Sequence, residues 1–144
     1  QHGGYDHHAQ EVPTHSRLLG EVSGALKSFM QDLREHDAAD NVAVLVFTEF
    51  GRRIKDNGSG TDHGSGGGAW IVGDTVKGGL YAEYPSLAPV DWLNGEDLRH
   101  TIDFRGIYGT MLDQWMGIDP TEIVGGVYEQ IRPFTSTPLT ATGA

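Results

Sequence analysis

The sequence predicts an α/β fold in which a mostly parallel central sheet is flanked by helices, and three observations carry that expectation. Apolar residues between Thr14 and His36 recur at helical spacing, the run NVAVLVFTEF at 41–50 is β-branched and aromatic, and AWIVGD at 69–74 repeats that character. A helix that feeds short, continuously apolar strands is the pattern of a sheet buried on both faces.

The first element places Leu18, Leu19, Val22, Ala25, Leu26, Phe29, Met30 and Leu33 on one stripe, with Thr14 or Ser16 available to cap its start. The strand at 41–50 opens at its C-terminal end into GRRIKDNGSGTDHGSGGG, where residues 51–68 hold seven of the 21 glycines and read as a loop. The second strand follows at 69–74. VKGGLYAEYP reads as a turn and an edge segment, and Pro85 and Pro89 mark irregular chain. Over 103–116, DFRGIYGTMLDQWM sets Phe104, Ile107, Tyr108, Met111, Leu112, Trp115 and Met116 on one helical face, with Asp103 as its cap and Gly117 as its end. The segment TSTPLTATGA has no periodic apolar face, so an ordered domain over 1–134 and a disordered tail over 135–144 are expected.

A chain of 144 residues fits one domain. No apolar run approaches the roughly 20 residues needed to span a bilayer. Ten basic against twenty acidic residues give a net charge of −10, which repels phosphate backbones and anionic lipid and favours a bound cation. Nucleic acid and membrane partners are therefore not expected. The absence of cysteine excludes disulfides, thiolate zinc sites and cysteine nucleophiles. No basic or apolar leader stands at Gln1, and a targeting peptide is expected to be absent or already removed.

Two clusters can carry chemistry. HGGYDHHAQ crowds His2, Asp6, His7, His8 and Gln10 together, and in extended chain Asp6 and His8 share a face. Carboxylate oxygen with imidazole nitrogen suits Zn²⁺, Mn²⁺ or Fe²⁺. Asp62 and His63 lie inside the glycine-rich stretch, where an irregular turn can aim neighbouring side chains at one ion. Glu49 sits at the end of the strand, where open α/β sheets bind ligands. Arg52 and Arg53 follow, placed either to pair with Glu49 or to hold an anionic substrate group. The plain alternatives are solvated terminal histidines, a flexible glycine linker and an ion pair at the strand end. There is no phosphate-cradling G-K-[ST] loop, no H-E-x-x-H and no G-x-S-x-G. His15, His36 and His100 read as cap or surface residues.

In order, GGYDHH, TEFGRR, NGSGTDHG, VKGGLY and TIDFRGIYGTMLDQWMGID resemble the C-terminal part of domain-of-unknown-function family 1501, exported sulfatase-like proteins of the alkaline phosphatase superfamily. The resemblance runs from about His2 to Phe134. It implies a truncated alkaline-phosphatase-like domain with metal ions at the carboxyl ends of its strands, and a periplasmic or secreted location. Asp6 with His8, then Glu49, then His63, with Asp62 beside it, correspond to the superfamily's ligand motifs. Two departures stand out: Glu49 has no adjacent histidine, and His7 stands where the family more often has threonine. The superfamily's nucleophile lies in a half that these residues do not include, so attack would need metal-bound hydroxide or a local hydroxyl such as Thr61 or Ser65, and Thr61 and Arg52 are the catalytic candidates.

The expected function is a metal-dependent hydrolase-like domain acting on phosphate or sulfate esters of a small molecule or polymer. Zn, Mn, Fe and Ca are all open as the divalent ion. The alternatives are a non-catalytic metal-binding module and a small metalloenzyme with a repurposed site. A homodimer is expected, because two helices and two strands leave sheet edges or an apolar face uncovered.

Overall fold

The computed structural model describes residues 3–135. Helix α1 (Glu11–Glu35) leads through a single tight turn at Ala39–Asn41 into strand β1 (Val44–Val46). Strands β2 (Gly51–Asp56), β3 (Thr61–Gly64) and β4 (Trp70–Val72) follow, and α2 (Phe104–Thr110) and α3 (Thr121–Val124) come late in the chain.

The sheet corrects the sequence expectation. There is no mostly parallel central sheet among the described residues; β1 pairs antiparallel with β4, and β2 pairs antiparallel with β3, in two separate two-stranded sheets. A mixed α/β domain is what remains of the alkaline-phosphatase-like expectation. The physical reason lies in the connection. Parallel neighbours need a crossover, usually a helix, whereas residues 47–69 contain no helical stripe and fold into the β2–β3 hairpin, which returns the chain antiparallel to β1. The predicted strand at 41–50 contracts to Val44–Val46. The stretch read as a loop at 51–68 is largely this hairpin. Its signal was present in Asn57-Gly58, a strong short-range mark of a hairpin turn, with Gly58 at φ 98°.

Helix α1 starts three residues before Thr14, so neither Thr14 nor Ser16 caps it. Gln10 precedes the helix with a left-handed φ of 52°, and its N–H donates to the Ser59 carbonyl at 3.0 Å. The hairpin turn thereby sets the helix start. His36 closes the other end as the C-cap, as its position suggested. Arg34, in the last turn, donates from Nε and Nη2 to the two oxygens of Asp74 at 2.9 and 2.5 Å, tying α1 to the chain after β4.

The predicted cap of α2 is present: the Asp103 carboxylate accepts from the Arg105 N–H at 2.9 Å. After Thr110 the helix widens into a π turn over Met111–Trp115 and ends at Gly117, φ 66°. Segment 128–131 crosses α2 so closely that a Cβ on Gly106 would lie 2.0 Å from the Glu129 carbonyl oxygen. Buried Thr110 secures the crossing, donating to the Gly106 carbonyl at 2.8 Å and accepting from the Ile131 N–H at 3.2 Å.

Leu18, Met30 and Ala39 are buried in the core among the described residues, as is Pro133. The rest of the α1 stripe is less covered, and Phe29 is 46% exposed. Phe47, Phe104 and Ile123 are also exposed, and an open apolar groove of about 500 Å³ runs between α2 and α3, lined by Phe104, Tyr108, Met111, Leu112 and Ile123. Of the predicted tail, Thr135 bonds to the Thr75 carbonyl, and 136–144 lie outside the described residues, as does His2.

Candidate metal centre

The site forms where the segment preceding α1 lies across the β2–β3 hairpin. Glycine at 60 permits that contact, for a Cβ there would come within 2.7 Å of the His8 carbonyl oxygen and 2.8 Å of the Glu11 carboxylate. Three further contacts strap the segment down. Glu11 accepts from the Thr61 N–H at 2.8 Å and from its hydroxyl at 3.0 Å, Gln10 reaches Ser59, and the Asn57 amide donates to the His8 carbonyl at 3.2 Å.

Asp6, His8 and His63 then converge, each offering one ligand atom, and these atoms lie within 4.8 Å of one another. His63 Nε2 is 2.6 Å from Asp6 Oδ1, and His8 Nε2 is 3.3 Å from the same oxygen. Two rings hold the His63 imidazole: Phe50 stacks on it at 3.7 Å, and His8 is tilted against it at 4.7 Å. All three converging residues are exposed, with Asp6 at 61%, so the site opens to solvent on one side.

Asp62 and His63 occupy consecutive positions of β3 and divide their work. His63 faces Asp6, while Asp62 Oδ1 approaches His8 Nδ1 at 3.2 Å and accepts from the Asn57 amide at 2.9 Å. The structure thus brings Asp62 to the far nitrogen of His8, outside the three converging groups. Glu49 lies on an exposed bend between β1 and β2, and it too is outside that group. His7 donates from Nδ1 to the Tyr5 carbonyl, and its ring faces His15 at 6.0 Å.

Arg52 sits beside the site. Its Nη1 donates to the Thr61 carbonyl at 2.9 Å and lies 3.6 Å from Glu11, while its Nη2 is 3.8 Å from Asp6 Oδ1. Arg53 donates from Nε to the His63 carbonyl at 3.2 Å and pairs through Nη1 with Glu96, which also takes Lys55. Neither arginine pairs with Glu49. The two hydroxyl candidates are engaged in structure: Thr61 with Glu11, and Ser65 with the Leu98 carbonyl.

Hydrogen bonds favour the ionised form of the carboxylates Asp6, Asp62 and Glu11. The hydrogen bond from His63 lowers the Asp6 pKa below the usual carboxylate value, with further help from the charges of His63, His8 and Arg52. Asp62 is lowered first by the bond from Asn57 and then by that from His8. Burial pushes Glu11 up, but the Thr61 N–H and hydroxyl, with Arg52, outweigh it and leave Glu11 low. One carboxylate and two imidazoles form a donor set suited to Zn²⁺, Mn²⁺ or Fe²⁺. Calcium, which takes six to eight oxygens, suits it poorly.

Asn57 was not singled out by sequence reasoning, yet it touches both Asp62 and the His8 backbone. Its position in an N-G turn was the available signal. No helix among the described residues is long and apolar enough to cross a membrane. No curated protein and no solved structure matches the chain. The family described as a protein of unknown function (DUF1501) matches residues 1–137, nearly the full length, and the chain belongs to that family.

Proposed function

We propose that the chain is a metal-dependent hydrolase-like domain that acts on phosphate or sulfate esters. The observation that carries the reading is the convergence of Asp6, His8 and His63 from segments 57 residues apart in sequence. When bound there, a divalent ion would supply Lewis-acid polarisation of an ester oxygen. Open solvent on one side leaves room for a substrate. Arg52 Nη2, near Asp6 and without a hydrogen bond to it at 3.8 Å, is placed to meet an anionic oxygen. The resemblance of the ordered motifs to exported sulfatase-like proteins of the alkaline phosphatase superfamily supports the ester class and a periplasmic or secreted setting.

A second reading, a non-catalytic metal-binding module, is favoured by one observation. The Thr61 and Ser65 hydroxyls both serve structural hydrogen bonds, so neither is free as a nucleophile.

Metal analysis of protein purified without a histidine tag, followed by a panel of phosphate and sulfate esters with and without chelator, separates the two. Turnover that disappears with chelator supports the hydrolase. Bound metal without turnover supports the module, and no binding of zinc, manganese or iron overturns both.

A further inference from the structure

We infer that Asn57 and Asp62 form a relay that fixes the tautomer and direction of the His8 ring, so that Nε2 is presented to the ion; Asp62 is then a positioning residue. The inference rests on the metal-centre reading for its purpose, and on hydrogen-bond chemistry for its geometry.

Two carboxylates face the ring, but only Asp62 Oδ1, 3.2 Å from Nδ1, has hydrogen-bond geometry; Asp6 Oδ1, 3.3 Å from Nε2, does not, and since a carboxylate can only accept, the hydrogen belongs on Nδ1. In the neutral ring the lone pair then lies on Nε2, which is the nitrogen turned toward Asp6. Asn57 holds the carboxylate in that position. Its Nδ2 donates to Asp62 Oδ1 at 2.9 Å and to the His8 carbonyl at 3.2 Å, gripping the carboxylate behind the ring and the backbone beneath it.

The Asn57 amide cannot be reversed. Its Oδ1 accepts from the Ser59 N–H at 3.0 Å and from the Gly60 N–H at 2.9 Å. A flipped amide would turn its NH₂ toward those two donors and its oxygen toward the Asp62 carboxylate and the His8 carbonyl. All four contacts would become repulsive. The hairpin turn therefore dictates the orientation of Asn57, Asn57 that of Asp62, and Asp62 that of His8. Carboxylates in this position behind a ligating histidine raise its basicity and hold its ring, and their loss typically weakens metal binding 10- to 100-fold.

The test uses the full chain in two measurements. First, nitrogen-15 NMR of the metal-free protein at pH 8.5, where an ordinary imidazole is neutral, reads the His8 tautomer directly. Wild type is expected to hold the hydrogen on Nδ1, and both Asn57→Asp and Asp62→Ala are expected to move it substantially to Nε2. Asn57→Asp keeps the acceptor that the turn needs, and Asp62→Ala leaves the turn untouched, so one covers the other if folding fails. Second, calorimetric titration with zinc is expected to show binding weakened roughly 10- to 100-fold in each variant, at unchanged stoichiometry. An unaltered His8 tautomer in both variants overturns the relay, whatever zinc does. A wild type that binds no zinc overturns the metal centre, while the tautomer result still decides the relay.

Discussion

Replacing Gly60 with alanine tests whether close backbone approach builds the site. The new Cβ would stand 2.7 Å from the His8 carbonyl oxygen and 2.8 Å from Glu11 Oε1, where ordinary contact begins near 3.4 Å. The strap must retreat by about 0.7 Å, the difference between these distances. Gly60 is not in the left-handed region, so alanine brings no backbone strain of its own. Crowding of this kind costs about 1–3 kcal/mol, and the smaller freedom of the unfolded chain returns about 0.4–1 kcal/mol. A net loss of about 1–2 kcal/mol is expected. Ligand geometry tolerates about 0.5 Å of error, so zinc binding should weaken roughly tenfold or more. Urea unfolding reads the first quantity and calorimetric titration the second. Gly68→Ala, with nothing within 4 Å of its Cβ, is the control and should match wild type in both. If Gly60→Ala also keeps wild-type stability and zinc affinity, the strap does not depend on this contact and the reasoning fails.

Alanine at Asp6 or His63 should strongly reduce metal occupancy measured by elemental analysis, and alanine at His36 or His100 should not; equal occupancy in all four variants contradicts the ligand assignment. A saturating ion should raise stability by about 2.7 kcal/mol at one hundred times its Kd, seen as a higher melting temperature. Asp103, held at about 2 against an ordinary 3.8 by the Arg105 hydrogen bonds, contributes stability that is complete above about pH 4 and lost as pH falls through about 2. Asp103→Asn keeps the cap, so the gap between it and wild type in urea unfolding should be under about 1 kcal/mol at pH 6 and close toward pH 2; a gap independent of pH counts against the ion pair. Phe29, Phe47, Phe104 and Ile123 stand exposed, and the groove between α2 and α3 is open and apolar, so a single copy leaves apolar surface uncovered. We therefore expect a two-fold dimer by light scattering at micromolar concentration, and a stable monomer there rules it out.

Of the five residues expected to share an ion, the convergence of Asp6, His8 and His63 was legible because Asp6 and His8 alternate along extended chain, whereas Glu49 and Asp62 fall outside it. Asp103 and Gly117 were legible for a similar reason, since capping is decided by one residue and its near neighbours. Strand pairing was not, because Val44–Val46 carries no mark of which partner it takes or in which direction. The apolar run through 41–50 suggested a longer strand than forms, and Glu49 on its exposed bend shows where that extrapolation broke. The start of α1 was also hidden. It depends on Ser59 and Thr61, residues some fifty positions away, which no local propensity could reveal.

Two of the three converging residues, Asp6 and His8, lie on the strap, while His63 belongs to the hairpin. An ion held by all three would act as a clasp on a loop of more than fifty residues, withdrawing entropy from every state in which the strap has come away. Peeling of the strap would carry off two ligands at once, so ion release and local unfolding become a single event. The rate at which the site empties would then be governed by the opening of the Gln10 and Thr61 amides to exchange, and a modification that loosens the hairpin turn at Asn57–Gly60 would act as a release trigger without touching a ligand.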